Sequence, residues 1–91
     1  MRFDILCKPE SGRRCKLTFE NVRQALETSG VEAEVHLFRD YRKMIDNRVY
    51  VSPALVVDDV VRVAGRVPSV EEILDILSEH PRYRRRSTEV A

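Results

Sequence analysis

Long hydrophobic runs are absent from this 91-residue chain. No apolar stretch approaches the roughly 20 residues that a membrane-spanning helix needs, so we expect no membrane partner. Residues 1–6 carry one basic residue and then an acid inside the apolar stretch, which is typical of neither a signal peptide nor a transit peptide. These absences predict a cytoplasmic location.

Cysteine is scarce, with only Cys7 and Cys15 present. Because cytosolic thiols are normally kept reduced, this composition favours free, catalytic or sensory cysteines over a structural cross-link. Metal-ligand spacing is also missing, since neither His36 nor His80 has a cysteine or carboxylate at the separation that zinc sites use. We therefore expect no bound metal and no cofactor.

The chain has no large excess of either charge sign, and its formal net charge is +1. Arginines give the segment from His80 onward a net charge of +3, whereas the residues before it sum to −2. The body of the chain is therefore not a basic platform of the kind that binds nucleic acid, and we expect no such partner. Length and composition predict one domain over residues 1–80 and a basic, flexible tail over residues 81–91.

Turn residues and hydrophobic periodicity divide the chain into strands and helices. Strands are predicted over residues 2–7, 32–38, 54–57 and 60–64, and helices over residues 13–28, 39–48 and 70–79. Asp58-Asp59 fits a two-residue hairpin turn, and Ser69 with Glu72 has the spacing of a capping box. The order βαβαββα, with helices available for both faces of the sheet, predicts a two-layer or three-layer α/β domain.

Two of these elements also carry a predicted buried face. In the second strand, alternation places Ala33, Val35 and Leu37 on one face. In the short second helix, the apolar stripe is formed by Tyr41, Met44 and Ile45.

Four segments in order resemble a known family. They are the first helix with the following strand (residues 15–34), a Ser-Pro step leading into a strand (52–58), a strand-to-helix turn (63–69) and the start of the last helix (71–73). Over residues 2–78 the chain resembles the small thioredoxin-like "redox-active disulfide" proteins, relatives of minimal thioredoxins and glutaredoxins. This resemblance implies a thioredoxin-like fold, with a four-stranded mixed sheet in the order 2-1-3-4 and helices on both faces.

The resemblance also implies thiol–disulfide exchange with a protein or small-molecule partner. The family's C-x-x-C motif corresponds here to Gly12-Arg13-Arg14-Cys15, so Gly12 stands where the first cysteine would be. By the same resemblance, the Ser52–Pro53 peptide bond is expected to be cis, with the backbone at Ser52 pairing with an extended partner.

The chemistry of Cys15 can be interpreted in two ways. The start of a helix and the basic residues Arg13, Arg14 and Lys16 favour a thiolate. However, Cys15 lies on the apolar stripe of its helix, and burial raises a thiol pKa and blocks attack on a partner. Cys7 is either a core residue or the partner of Cys15, because the loop between them is long enough to fold back.

Two functions therefore remain open at this stage. One is thiol–disulfide exchange through the single helix-start cysteine, Cys15, with Cys7 as a candidate partner and with Gly12, Arg13, Arg14, Ser52 and Pro53 as candidate substrate-binding residues. The other is a non-catalytic binding module that uses the cis-proline face and in which both cysteines are incidental. The oligomeric state is not predicted.

Overall fold

The computed structural model describes residues 1–79. The predicted tail over residues 81–91, and His80 at the end of the predicted domain, lie outside the described residues. The elements follow in the order β1 (Arg2–Cys7), α1 (Arg13–Ser29), β2 (Glu34–Arg39), α2 (Tyr41–Asp46), β3 (Ala54–Val57), β4 (Val60–Ala64) and α3 (Val70–Glu79). The predicted order βαβαββα is confirmed.

The four strands form one mixed sheet in the order β2-β1-β3-β4. Strand β1 pairs in parallel with β2 and antiparallel with β3, and β3 pairs antiparallel with β4. This arrangement confirms the predicted α/β fold and sheet order. It also makes β1 an inner strand, so the C-terminal end of β1 is enclosed by neighbours on both sides.

Alternation along β1 divides the interior into two cores, since successive side chains of a strand point to opposite faces. Phe3, Ile5 and Cys7 enter the core that α1 and α3 cover, whereas Leu6 enters a smaller core that contains Met44 of α2. Each side chain of this size contributes roughly 1.5–3 kcal/mol when it is fully buried. Helices on both faces of the sheet are thus confirmed, and Cys7 belongs to the larger core.

The β3–β4 hairpin turns at Asp58 and Asp59. Both of its strands have the bounds predicted from the sequence. Both aspartates have positive φ, 47° and 70°, as a two-residue turn of type I′ requires. Aspartate tolerates this left-handed conformation better than most residues. The Asp58 carboxylate also accepts a hydrogen bond from the Arg2 backbone N–H at 2.8 Å, which joins the turn to the start of β1.

The predicted capping box begins α3. The Glu72 backbone N–H donates to the Ser69 hydroxyl, and the Ser69 backbone N–H donates back to the Glu72 carboxylate, both at 3.1 Å. Arg66 also donates two hydrogen bonds to this carboxylate. The Arg66 guanidinium, followed by the Ser69 backbone N–H, lowers the pKa of Glu72 to about 2.

Two predicted apolar faces differ from the structure. In α2 only Met44 is buried, whereas Tyr41 and Ile45 are 48% and 59% exposed, because a helix of six residues covers the sheet with one side chain. Leu37 is also exposed, because β2 is an edge strand. Within residues 1–79, no helix has the length and hydropathy needed to cross a membrane.

Candidate active site

Cys7 and Cys15 are joined by a disulfide bond. Cys7 is the last residue of β1, and Cys15 lies in the first turn of α1 on the face that packs against the sheet. Their Cα atoms are 6.2 Å apart, within the range of roughly 4.4–6.8 Å that disulfides occupy. The loop between them does fold back. Since these two cysteines are bonded to each other and the chain has no others, it has no free thiol.

Both half-cystines are fully buried, with an exposed fraction of 0% for each. They belong to the same core cluster as Phe3, Ile5 and Val22. An attacking thiolate must reach a disulfide sulfur directly. In this conformation, therefore, the bond is protected from partners in solution.

Ser52 connects the Ser-Pro step to the loop between the cysteines. Its hydroxyl accepts a hydrogen bond from the Lys8 backbone N–H at 3.2 Å and shares a hydrogen bond with the Ser11 hydroxyl at 3.0 Å. The Ser52–Pro53 peptide bond is cis, and Pro53 is fully buried. The fold thus brings together the predicted Ser-Pro residues and the disulfide-bonded loop.

Gly65, just beyond β4, joins two other parts of the site. Its backbone N–H donates to the Pro53 carbonyl at 2.8 Å, and its own carbonyl accepts a hydrogen bond from the Arg14 guanidinium at 2.7 Å. Gly65 has φ of 86°, and a Cβ added there would approach the Val51 side chain to 3.1 Å. Any other residue would be strained here, so glycine is strongly favoured where the start of α1 meets the proline loop.

A contact between Glu10 and Tyr41 holds the other side of the loop. The Tyr41 hydroxyl lies 2.8 Å and 2.7 Å from the two Glu10 carboxylate oxygens, and its single hydrogen is donated to this carboxylate. This hydrogen bond is the main cause that lowers the pKa of Glu10 and raises the pKa of Tyr41. Both side chains are exposed, so this hydrogen bond links the loop between the cysteines to α2 at the protein surface.

The remaining predicted site residues lie at the surface. Gly12 is the N-cap of α1, with no atom within 4 Å of the position a Cβ would take, and Arg13 is exposed beside it.

Sequence reasoning missed Glu10, Ser11 and Tyr41, because their contacts join residues 31 or 41 positions apart and no local pattern marks them. Within residues 1–79, no group of three or more His, Cys, Asp or Glu side chains could hold a metal ion.

A family model and individual proteins both match this chain. A family model described as "Thioredoxin domain" matches residues 1–78. The chain is 37% identical over 67 residues to a thioredoxin of Methanocaldococcus jannaschii, an alignment that covers 74% of this chain and 77% of that protein. It is 33% identical over 64 residues to a thioredoxin of Methanothermobacter thermautotrophicus, covering 70% of this chain and 83% of that protein.

Reduction of the disulfide is expected to lower the free energy of unfolding by about 2–3 kcal/mol, because a short covalent loop no longer restricts the unfolded chain. Urea unfolding with and without dithiothreitol measures this difference. The control is the Cys7→Ala/Cys15→Ala chain, whose stability should not respond to the reductant. Equal stability of the oxidised and reduced wild-type protein would contradict the prediction.

Proposed function

The chain belongs to the thioredoxin domain family, and from this premise we propose that it is a thiol–disulfide exchange protein whose redox couple is Cys7 and Cys15. The observation that carries the proposal is the bond between these cysteines at the junction of β1 and α1. The loop that this bond closes is hydrogen-bonded to Ser52, next to the cis peptide bond. By the resemblance to thioredoxin-like proteins, the backbone at Ser52 would pair with an extended partner beside this cysteine pair.

The proposed exchange transfers two electrons and two protons. A thiolate of a reduced partner dithiol attacks one sulfur of the Cys7–Cys15 bond, which breaks, and the leaving cysteine takes up a proton. The second partner thiolate then attacks the partner's other sulfur, the one held in the mixed disulfide, and the remaining cysteine leaves and takes up the second proton. The partner becomes a disulfide and the chain a dithiol, and the reverse sequence reduces a partner disulfide.

Cys15 is the cysteine better suited to carry the thiolate. It lies in the first turn of α1, where unpaired backbone N–H groups and the helix dipole provide positive potential. Arg13, Arg14 and Lys16 add positive charge next to it in the chain. Cys7 ends a strand instead of beginning a helix, and Lys8 is the one basic residue next to it in the chain, so we assign it the role of the second cysteine.

The position of the family's first cysteine is assigned to Gly12. In that assignment Gly12-Arg13-Arg14-Cys15 is the counterpart of C-x-x-C, and Cys7 replaces the missing thiol from the other end of the loop. Support comes from the placement of Gly12 as the N-cap of α1, directly before the turn that holds Cys15. The exchange couple of this chain is then Cys7 and Cys15 instead of a pair within one helical turn.

Partners of this reaction are proteins or small molecules that carry a thiol or a disulfide. In the cytoplasm, the proposed location, the thiol pool is reducing, so the disulfide form would arise during turnover. Neither a membrane nor a nucleic acid takes part in the proposed reaction.

A second candidate function is a binding module without redox turnover. The complete burial of both cysteines favours it. So does the surface just before the proline, where Tyr50 and Val51 are 70% and 49% exposed and could contact an extended peptide. In this alternative the disulfide only stabilises the fold.

Catalytic turnover of a disulfide substrate distinguishes the exchange function from the binding module. In the exchange function, the protein accelerates the reduction of insulin disulfides by dithiothreitol, and Cys7→Ala and Cys15→Ala each reduce the rate to the uncatalysed level, because both sulfurs take part. Circular dichroism of each variant controls for folding. Retained activity in Cys7→Ala alone would show that Cys15 acts as a single cysteine, and the absence of catalysis by the wild-type protein would favour the binding module.

Restoring the C-x-x-C pattern tests the assignment of Gly12. In a Cys7→Ala background, Gly12→Cys is expected to bring back insulin reduction, because a Cβ at residue 12 meets no atom within 4 Å beyond its chain neighbours and residue 12 is the N-cap directly before the turn that holds Cys15. The matched control is Gly12→Ser in the same background, which has similar size but no thiol. Equal activity of the two chains would contradict the assignment.

A further inference from the structure

We propose that residues 8–12, called the cap here, form a local cover over the Cys7–Cys15 bond, and that Tyr41 and Ser52 are positioning residues that hold this cover closed. The role of this opening in exchange with partners rests on the function proposed above. The existence of the cover does not, because reduction of the bond by a small thiol measures access to the sulfurs without any partner protein.

The need for an opening follows from burial. Both cysteines are fully buried, yet exchange requires a sulfur that a partner thiolate can approach. Neither β1 nor α1 can move away easily, because Phe3, Ile5 and Val22 fix both elements in the larger core. The chain that connects the two cysteines is therefore the element whose displacement costs least.

The cap has few buried contacts of its own. Pro9, Glu10 and Gly12 are exposed, and Lys8 and Ser11 are half-buried. Segments with little buried apolar surface open locally at a small fraction of the free energy of global unfolding. The cap satisfies this condition, whereas the strand and the helix that flank it do not.

Hydrogen bonds from two other parts of the chain hold the cap in place. Ser52 contacts its ends through the Lys8 backbone N–H and the Ser11 hydroxyl, and Tyr41 contacts its middle through Glu10. Tyr41 is 48% exposed, so a partner that docks beside it could displace its hydroxyl from Glu10. Breaking either contact is expected to raise the fraction of time for which the disulfide is accessible.

The test measures the rate at which dithiothreitol reduces the oxidised protein, read by acid quenching, alkylation and mass spectrometry. Tyr41→Phe and Glu10→Ala should each increase the rate about three- to tenfold, because each removes the same hydrogen bond. The double variant Tyr41→Phe/Glu10→Ala should be no faster than the faster single variant. Ser52→Ala should also increase the rate.

The matched control for Glu10→Ala is Glu34→Ala, which removes another exposed carboxylate, one that is hydrogen-bonded to His36 in β2, and which should leave the rate unchanged. Reduction through the cap should also vary little with urea below the unfolding transition, because local opening exposes little surface. Equal rates for Glu10→Ala and Glu34→Ala, or a rate that follows global unfolding as urea is added, would overturn the proposal. Faster reduction of the variants without any insulin reduction by the wild type would support the cap and refute the exchange function.

Discussion

The bond between Cys7 and Cys15 joins the last residue of an inner strand to the first turn of the helix that packs over it. Both residues face the larger core because β1 alternates and α1 is amphipathic. The loop between them is thereby closed into a short covalent ring. Lys8 and Ser11 of that ring are hydrogen-bonded to the hydroxyl of Ser52, the residue before Pro53, so the ring lies beside the Ser-Pro step. The features of the candidate site follow from this one link.

Burial and reactivity oppose each other at this site. The start of α1 and its neighbouring cations favour a thiolate at Cys15, whereas complete exclusion of solvent opposes a charge and blocks attack. Local opening resolves this conflict, since the sulfurs then meet the positive potential and the solvent together. The disulfide would be protected at rest and reactive only while the cap is displaced.

Local signals allowed the order of helices and strands to be predicted from the sequence, whereas the order of the strands in the sheet was implied by the family resemblance. Asp58-Asp59 set the hairpin, and the Ser69–Glu72 capping box set the start of α3, because each signal acts within a few residues. The extent of burial in α2 could not be predicted, since exposure of Tyr41 depends on how much sheet a short helix covers. The sequence left the Cys7–Cys15 bond as one of two alternatives, because it does not fix the distance between the two Cα atoms. It gave no signal for the Glu10–Tyr41 contact, which joins residues 31 positions apart.

Equilibrium titration of the protein in thiol–disulfide buffers of stepwise potential, with alkylation and mass spectrometry as the readout, tests the central claim most directly. The account predicts one reversible two-electron transition in which Cys7 and Cys15 become alkylated together while the fold persists. If neither cysteine could be alkylated until denaturant unfolded the chain, the bond would be a structural cross-link and the account would be wrong.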